Sequence, residues 1–447
     1  MEQKKALDNH SAKGYLPYIL IASVVIIKVF THRFGDLDEL WNYNFSRAIT
    51  MGSIPYRDFT IVSMPLFNYI FSLPLLISRC LLAYRIMTAI FLTALLSIVY
   101  KLSEKKSSSS FALGTSMAAA LFVDIATYNM LMMFFALLAY LASTMSESKK
   151  RYFLIGLFTV LSTLSRQTSG GVLLVFVSAF ILIDIIREKK EKTMLLMYLC
   201  GVAVPCFIFL IYLLATGTFT AFWDCCFFAL FRFAESNGAS DLMGAMPVLV
   251  VAAAGIGADL YFGIAKKQKD SLFHLVTGFC VILTAVPIFD FNHLIMAGIF
   301  FLIPVSVLIK MAYERYLKIR LAPVIIGLIL IMAVAMGVID LTDAGLSSSY
   351  KELRLIPGAT LCDGYMGLIE KNSSYESQGK TVTVFSDSEV ILSIMTGRFY
   401  APYDMFLNGN LGMRDPVSYP EELCSSPQSI IVIVDDYNEQ NKENPDG

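Results

Sequence analysis

Charge is scarce in this chain. Asp, Glu, Lys and Arg make up 16% of its 447 residues, where a soluble globular domain carries about a quarter. That scarcity argues against a string of soluble domains. The formal net charge is -1, so the basic excess that would favour nucleic acid is missing. Cysteine is present but without pattern: eight residues and no CxxC, which excludes the common zinc and redox motifs. Cys200, Cys206 and Cys280 fall in apolar segments and read as small core residues. Cys225 and Cys226 are adjacent, and only Cys362 and Cys424 share a polar region where a bridge is open to them. No small-x-small cleavage site follows the apolar stretch behind Lys4, Lys5 and Lys13, so that stretch reads as a retained span. No internal repeat occurs, and no low-complexity stretch beyond Ser107–Ser110.

Apolar sequence fills the space that charge leaves. Hydrophobic residues are 56% of the chain and mean hydropathy is +0.64, concentrated in runs approaching the ~20 residues that a bilayer requires. The expected spans are 15–33, 84–101, 111–124, 128–145, 152–165, 171–186, 194–214, 242–263, 272–289, 292–310 and 321–339. The segment 64–82 is also apolar, but Pro65, Asn68, Pro74 and Arg79 interrupt it, and it reads as an interfacial or re-entrant helix. Lysine placement tests the count. With the N-terminus cytoplasmic, the inner loops hold twenty cations, in clusters such as Lys149–Arg151 and Arg187–Lys192, whereas the short outer loops near 125, 166 and 290 hold one, Arg166. That is the positive-inside bias expected of eleven spans.

These readings give an all-α polytopic membrane domain over 1–340, with a first external loop at 34–83. An odd span count sends the C-terminus outside. There KTVTVF (380–385) alternates like a strand, EVILSIMTG (389–397) suits a short helix, and SIIVIVDD (429–436) reads as a buried strand. Residues 341–436 are therefore expected to form a small extracytoplasmic α/β domain, followed by a disordered tail at 437–447.

The richest stretch is 36–69, DLDELWNYNFSRAITMGSIPYRDFTIVSMPLFNY. On a helix, Glu39, Tyr43, Ser46 and Thr50 form one stripe, and Trp41, Phe45, Ala48 and Ile49 another. Such a division predicts a helix lying along a membrane surface. Asp38 and Glu39 stand at its start. Acids there also complement the helix dipole, and the residues alone leave both readings open.

This loop resembles the first external loop of the GT-C membrane glycosyltransferases, particularly bacterial relatives of protein O-mannosyltransferases and lipid A aminoarabinose transferases. The shared pattern is an acidic pair, an aromatic, G-x-x-PY-x-DF and a PL-aromatic element. Here these are Asp38-Glu39, Tyr43, Gly52, Pro55-Tyr56, Asp58-Phe59 and Pro65-Leu66-Phe67. LSRQTSGG (164–171) resembles the family's K-Q or R-Q loop, PIFDFNHL (287–294) its late D-x-x-H loop, and YDMFLNGNLG (403–412) a common bacterial tail. The fragments occur in the family's order along most of the chain.

The resemblance implies inverting transfer of a sugar from a polyprenyl-phosphate carrier to a glycan, lipid or protein acceptor at the outer membrane surface. Deprotonating the acceptor hydroxyl needs a carboxylate within hydrogen-bond reach; the family position matches Asp38, with Glu39 beside it. The leaving phosphate needs cations, and arginine's planar fork suits it. Arg166, beside Gln167, reads as a phosphate ligand or as an interfacial anchor. Arg57 and Arg232 are secondary candidates, since such arginines also snorkel or pair with acids. Tyr43, Tyr56, Asp58, Gln167, Asp290 and His293 are candidate substrate contacts; the last two also suit a plain polar connection between spans. Asp124 can orient the acceptor, bind a divalent metal ion, or cap the turn before Tyr128. Two departures from the family stand out: TIVSM (60–64) lacks the charged residues found before the PL element in aminoarabinose transferases, and Arg166 stands where lysine is usual. A transporter or lipid-carrier flippase is the main rival. It would place polar residues near the bilayer midplane and often carry an inverted repeat, whereas these polar residues cluster at outer span ends. A noncatalytic scaffold is the third reading.

Overall fold

The computed structural model describes residues 2–31, 37–123, 128–230, 242–286, 291–316, 322–342, 363–385 and 429–433. Its helices are α1 (Glu2–Thr31), α2 (Leu37–Thr50), α3 (Leu66–Ser72), α4 (Leu81–Lys106), α5 (Ser109–Phe122), α6 (Tyr128–Ser143), α7 (Lys149–Ser165), α8 (Gln167–Arg187) and α9 (Lys192–Thr216). After them come α10 (Phe219–Trp223), α11 (Leu242–Leu260), α12 (Lys269–Ile282), α13 (Phe291–Tyr316), α14 (Ala322–Thr342) and α15 (Asp363–Ser377). A π-turn continues α10 over Asp224–Phe228, and another continues α11 over Tyr261–Ala265.

Each segment expected to span is a helix: α1, α4 to α9 and α11 to α14. Among the described residues, six helices are long and apolar enough to cross a membrane by length and composition. The segment 64–82 is broken, as its prolines predict. It forms α3 and a single 3₁₀ turn at Pro74–Leu76 before α4 begins.

Two compact units divide the chain. One comprises 1–33, 85–209 and 238–343; the other comprises 34–84, 210–237 and 344–447. In the first, α6 packs along α7, α7 along α8, α8 on α12, and α11 along α13, while α1, α5 and α14 pack together. Small residues let backbones touch, as membrane helices require. A Cβ on Gly156 of α7 would lie 2.3 Å from the Tyr198 carbonyl oxygen of α9, and one on Gly201 would lie 2.2 Å from the Phe153 oxygen of α7. The outer faces are apolar: Phe207, Ile208 and Leu214 of α9 are each more than 60% exposed. Hydrocarbon is the solvent that tolerates such faces, and the fold is that of a multi-pass membrane protein.

In the second unit α2 packs on α3 and on the Pro74–Leu76 turn. β1 (Thr381–Phe385) and β2 (Ser429–Ile433) lie where alternation predicted strands, and they pair in parallel from Thr381↔Ser429 to Phe385↔Ile433. α15, which no pattern announced, packs on β1. The helix expected at 389–397, Cys362, Cys424 and the tail at 437–447 lie outside the described residues.

Candidate active site

The acidic pair opens α2: Asp38 and Glu39 are its second and third residues. The polar stripe expected on this helix faces the protein interior. Every residue from Glu39 to Ala48 is buried, including Glu39, Asn42, Asn44, Ser46 and Arg47. The chain itself supplies hydrogen-bond partners along this stripe. Arg47 donates to Asn44 Oδ1 at 2.9 Å, Ser46 Oγ to the Asn42 carbonyl at 2.8 Å, and Asn68 Nδ2 to that same carbonyl at 3.4 Å. Tyr43 donates its hydroxyl to the Arg79 carbonyl at 2.9 Å and sets its ring edge-on to Tyr84. Burial pushes its hydroxyl pKa well above the ordinary value. Amphipathic spacing is the same whether the polar stripe meets water or buried partners, so the sequence pattern could not distinguish them.

The G-x-x-PY-x-DF element forms a self-closing loop after α2. Gly52 has φ +97°, the left-handed region open to glycine. Tyr56 also has positive φ, at 68°, a conformation that a bulky residue holds only when its surroundings over-determine it. Its N–H donates to the Phe59 carbonyl at 2.8 Å and its buried hydroxyl to the Ser63 carbonyl at 2.9 Å. The Cys226 thiol donates back to that hydroxyl at 3.2 Å, and Phe222 meets the ring edge-on. Phe59 stacks on Phe45 of α2. Asp58 accepts the Ile54 N–H at 2.7 Å and takes the Arg57 guanidinium in a two-pronged pair, both bonds 2.9 Å. That guanidinium holds the Asp58 carboxyl below the usual carboxylate range. Tyr56, Arg57 and Asp58, expected as ligand contacts, thus hold the loop's own shape. Their partners Ser63 and Cys226 left no sequence signal, because neither belongs to the motif.

In the first unit, α7 ends at Ser165 and α8 begins at Gln167, leaving Arg166 as the lone extended residue between two helices (φ -150°, ψ 115°). Gly170 permits so short a link. Its Cα approaches the Thr163 backbone where a Cβ would sit at 2.5 Å, and Thr163 Oγ1 donates to the Gly170 carbonyl at 2.8 Å. Arg166 is buried, with 7% exposure. Its guanidinium donates to Asn129 Oδ1, to the Val286 carbonyl at 3.2 Å and, through Nε, to Thr168 Oγ1 at 3.2 Å; the Tyr128 ring lies 5.5 Å away. These partners are neutral. They come from the start of α6, the start of α8 and the chain end before 287. Described residues that flank the three expected outer loops, Asn129, Thr168 and Val286, therefore meet on this buried arginine. Asn129, Thr168 and Val286 went unnoticed in the sequence because nothing local connects them to position 166.

Gln167 is half-buried at the head of α8, and the His293 carbonyl accepts Thr284 Oγ1 at 3.0 Å. Asp124, Arg232 and Asp290 lie outside the described residues, and the description of Asp38 stops at its backbone. Among the described residues, no three His, Cys, Asp or Glu side chains gather into a metal site.

No protein-family model and no curated protein matches the chain. Solved structures do. ArnT from Cupriavidus metallidurans in the apo state is similar over 97% of this chain and 95% of its own, with TM-score 0.56 and 11% identity. ArnT bound to undecaprenyl phosphate gives the same coverage, with TM-score 0.54 and 12% identity. The apo Archaeoglobus fulgidus oligosaccharyltransferase is similar over 88% of this chain, with TM-score 0.50 and 11% identity; this chain spans 65% of its length. At these identities the likeness concerns architecture. The chain has the GT-C type of polytopic membrane fold.

Proposed function

We propose that the protein is an inverting glycosyltransferase that moves a sugar from a polyprenyl-phosphate carrier to an extracytoplasmic acceptor. The observation that carries this reading is end-to-end likeness to ArnT, one of whose structures holds undecaprenyl phosphate, combined with a buried polar first loop that opens on two carboxylates.

In the proposed reaction the acceptor hydroxyl gives its proton to Asp38 as its oxygen bonds to the anomeric carbon. The bond from that carbon to the phosphate oxygen breaks on the opposite face, and the electron pair leaves with the polyprenyl phosphate. Preorganised donors stabilise the charge that develops on the phosphate. Arg166 is assigned that role. Its hydrogen bonds to Thr168, Asn129 and Val286 fix its orientation before substrate arrives. Glu39 supports the base. Arg57 and Arg232 are secondary phosphate candidates; Tyr43, Tyr56, Asp58, Gln167, Asp290 and His293 shape or contact the substrates. Asp124 serves the acceptor or a divalent ion.

The reaction belongs on the extracytoplasmic side, because the lysine-rich loops mark the other end. Reporter fusions after residue 345 should register as external; a cytoplasmic signal would make the span count wrong by one. The activity test uses the purified full chain in lipid with a polyprenyl-phosphate sugar and a membrane-glycan acceptor fraction. The expected result is transfer with inversion at the anomeric carbon. Failure to release polyprenyl phosphate from any such donor, with a correctly folded protein, would favour the flippase reading.

A further inference from the structure

A second polar centre lies inside the first unit, where α11, α12 and α13 meet. Gly255 of α11 and Gly278 of α12 both lie against Phe301 of α13, each with a notional Cβ 2.5 Å from that side chain. Within this tight packing sit Asp259 and His274, 1% and 0% exposed. His274 Nδ1 and Asp259 Oδ2 are 2.5 Å apart. The imidazole stacks on Phe300 at 4.4 Å and meets Tyr140 of α6 edge-on at 4.7 Å.

The unusual feature is what remains unmatched. His274 Nε2, Asp259 Oδ1 and the Tyr140 hydroxyl are all buried, and none has a hydrogen-bond partner among the described residues. A shared proton between Nδ1 and Oδ2 leaves Nε2 as a bare acceptor in neutral imidazole and as an N–H donor in imidazolium. Either form needs a partner there, as Oδ1 and the phenol do. Buried polar atoms are almost always satisfied, and internal water is the usual agent where protein atoms are not. Ionisable groups within membrane bundles likewise face one another or a water-filled space.

The exposed end of α12 is near. His274 is one helical turn, about 6 Å, from Asp270 in the first turn of α12, and Asp270 and its neighbour Lys269 are exposed. Lys106, at the end of α4, stands over the Tyr140 ring at 5.7 Å and donates to Ser271 Oγ at 3.4 Å. The charges of Asp259 and Asp270 both act on it. The charged and titratable groups around the pair are thus Lys106, Tyr140 and Asp270.

We propose that Asp259, His274 and Tyr140 form an internal water-binding site, through which the Asp259–His274 pair exchanges its proton with the aqueous phase at the lysine-rich end of the helices. Uptake transfers a proton from hydronium to the bare Nε2 or Oδ1, leaves a water molecule and raises the cluster's charge by one. Release is the reverse. The site stands apart from the transferase reading and does not depend on it.

The test uses the wild-type chain in lipid nanodiscs. Four histidines occur, at 10, 32, 274 and 293, so deuterium exchange at the imidazole C2–H can be read by mass spectrometry on separate peptides. A hydrated ring should exchange within about a hundredfold of the unfolded chain's rate, whereas a sealed core exchanges only on rarer opening. Nitrogen NMR of labelled histidine should also show magnetisation transfer between water and His274 Nε2. Exchange confined to global unfolding, or no water contact at Nε2, would overturn the proposal and leave a dry structural pair. Tyr140→Phe, which removes one of the three polar walls while keeping the ring, should slow His274 exchange at least severalfold; an unchanged rate would remove Tyr140 and with it the three-walled site.

Discussion

Helices α9 and α2 obey opposite rules within one chain. α9 turns Phe207, Ile208 and Leu214 outward, and its most apolar window is only 17% buried. α2 turns Glu39, Asn42, Asn44, Ser46 and Arg47 inward. In a bilayer, apolar side chains gain nothing by leaving lipid, so burial in this molecule does not track hydrophobicity. Polar groups do resist lipid, and gathering them inside requires partners for every donor and acceptor. A sealed polar helix is therefore a costly construction, and in the proposed reaction that cost is offset by the carboxylates it positions.

The strongest way to break that comparison is at Asp38. Asp38→Asn preserves side-chain size, so the protein should insert and fold while losing transfer by roughly 10²–10⁴-fold, the range for a missing general base. Glu39→Gln should cost less. If the two effects are reversed, Glu39 is the base; wild-type turnover in both variants and in their double variant would remove chemistry from the loop. Arg166→Gln ranks next, with severe loss of donor use at normal expression. Arg166→Lys should keep partial activity, since it keeps the charge and loses the fork. Full activity in the glutamine variant would reduce Arg166 to a structural clamp on Asn129, Thr168 and Val286.

Much of the architecture was legible because lipid imposes a long, simple signal. Eleven segments chosen by apolar run and lysine placement all proved helical, and Pro65 and Pro74 correctly set 64–82 apart as broken. β1 and β2 were legible from alternation and apolar run. α15 was not, because DGYMGLIEKNSSYES has neither a long apolar run nor a marked polar–apolar division. The site was readable as a list of residues but not as an arrangement. Period 3.6 locates the stripe on α2 without saying what faces it. Likewise Arg166 could be singled out as an isolated cation, while its hold on Asn129 and Val286, 37 and 120 residues away, has no local trace.

A smaller effect sharpens the role of the PY-x-DF loop. Tyr56→Phe keeps the buried ring against Phe222 and deletes the hydroxyl bond to the Ser63 carbonyl together with the weaker one accepted from the Cys226 thiol. Removing one such bond costs about 1 kcal/mol, read as a lowered thermal midpoint in detergent with insertion unaffected. If Tyr56 serves the loop alone, donor affinity should change little. A large rise in donor KM without a stability change would instead place the hydroxyl on the substrate.

The smallest effect expected is at Asp58, and its direction with pH is fixed by linkage. Arg57 and the Ile54 N–H both favour the ionised carboxylate, and the folded protein therefore holds its pKa below the unfolded value. A depressed carboxyl pKa contributes stability above the unfolded value, about 3.9, and loses that contribution as pH falls through the folded one. Arg57 is exposed and Asp58 partly so, so solvent screens the pair and its share of stability is small. Asp58→Asn should lower the thermal midpoint slightly at pH 7. The gap to wild type should narrow as pH drops below 4, where the wild-type carboxyl itself takes up a proton. Acid destabilises other parts of both proteins, but that common loss cancels in the difference. A gap that stays constant from pH 7 to pH 3 would mean that the asparagine disturbs the turn sterically, and that the Arg57–Asp58 charge pair contributes nothing to holding the loop.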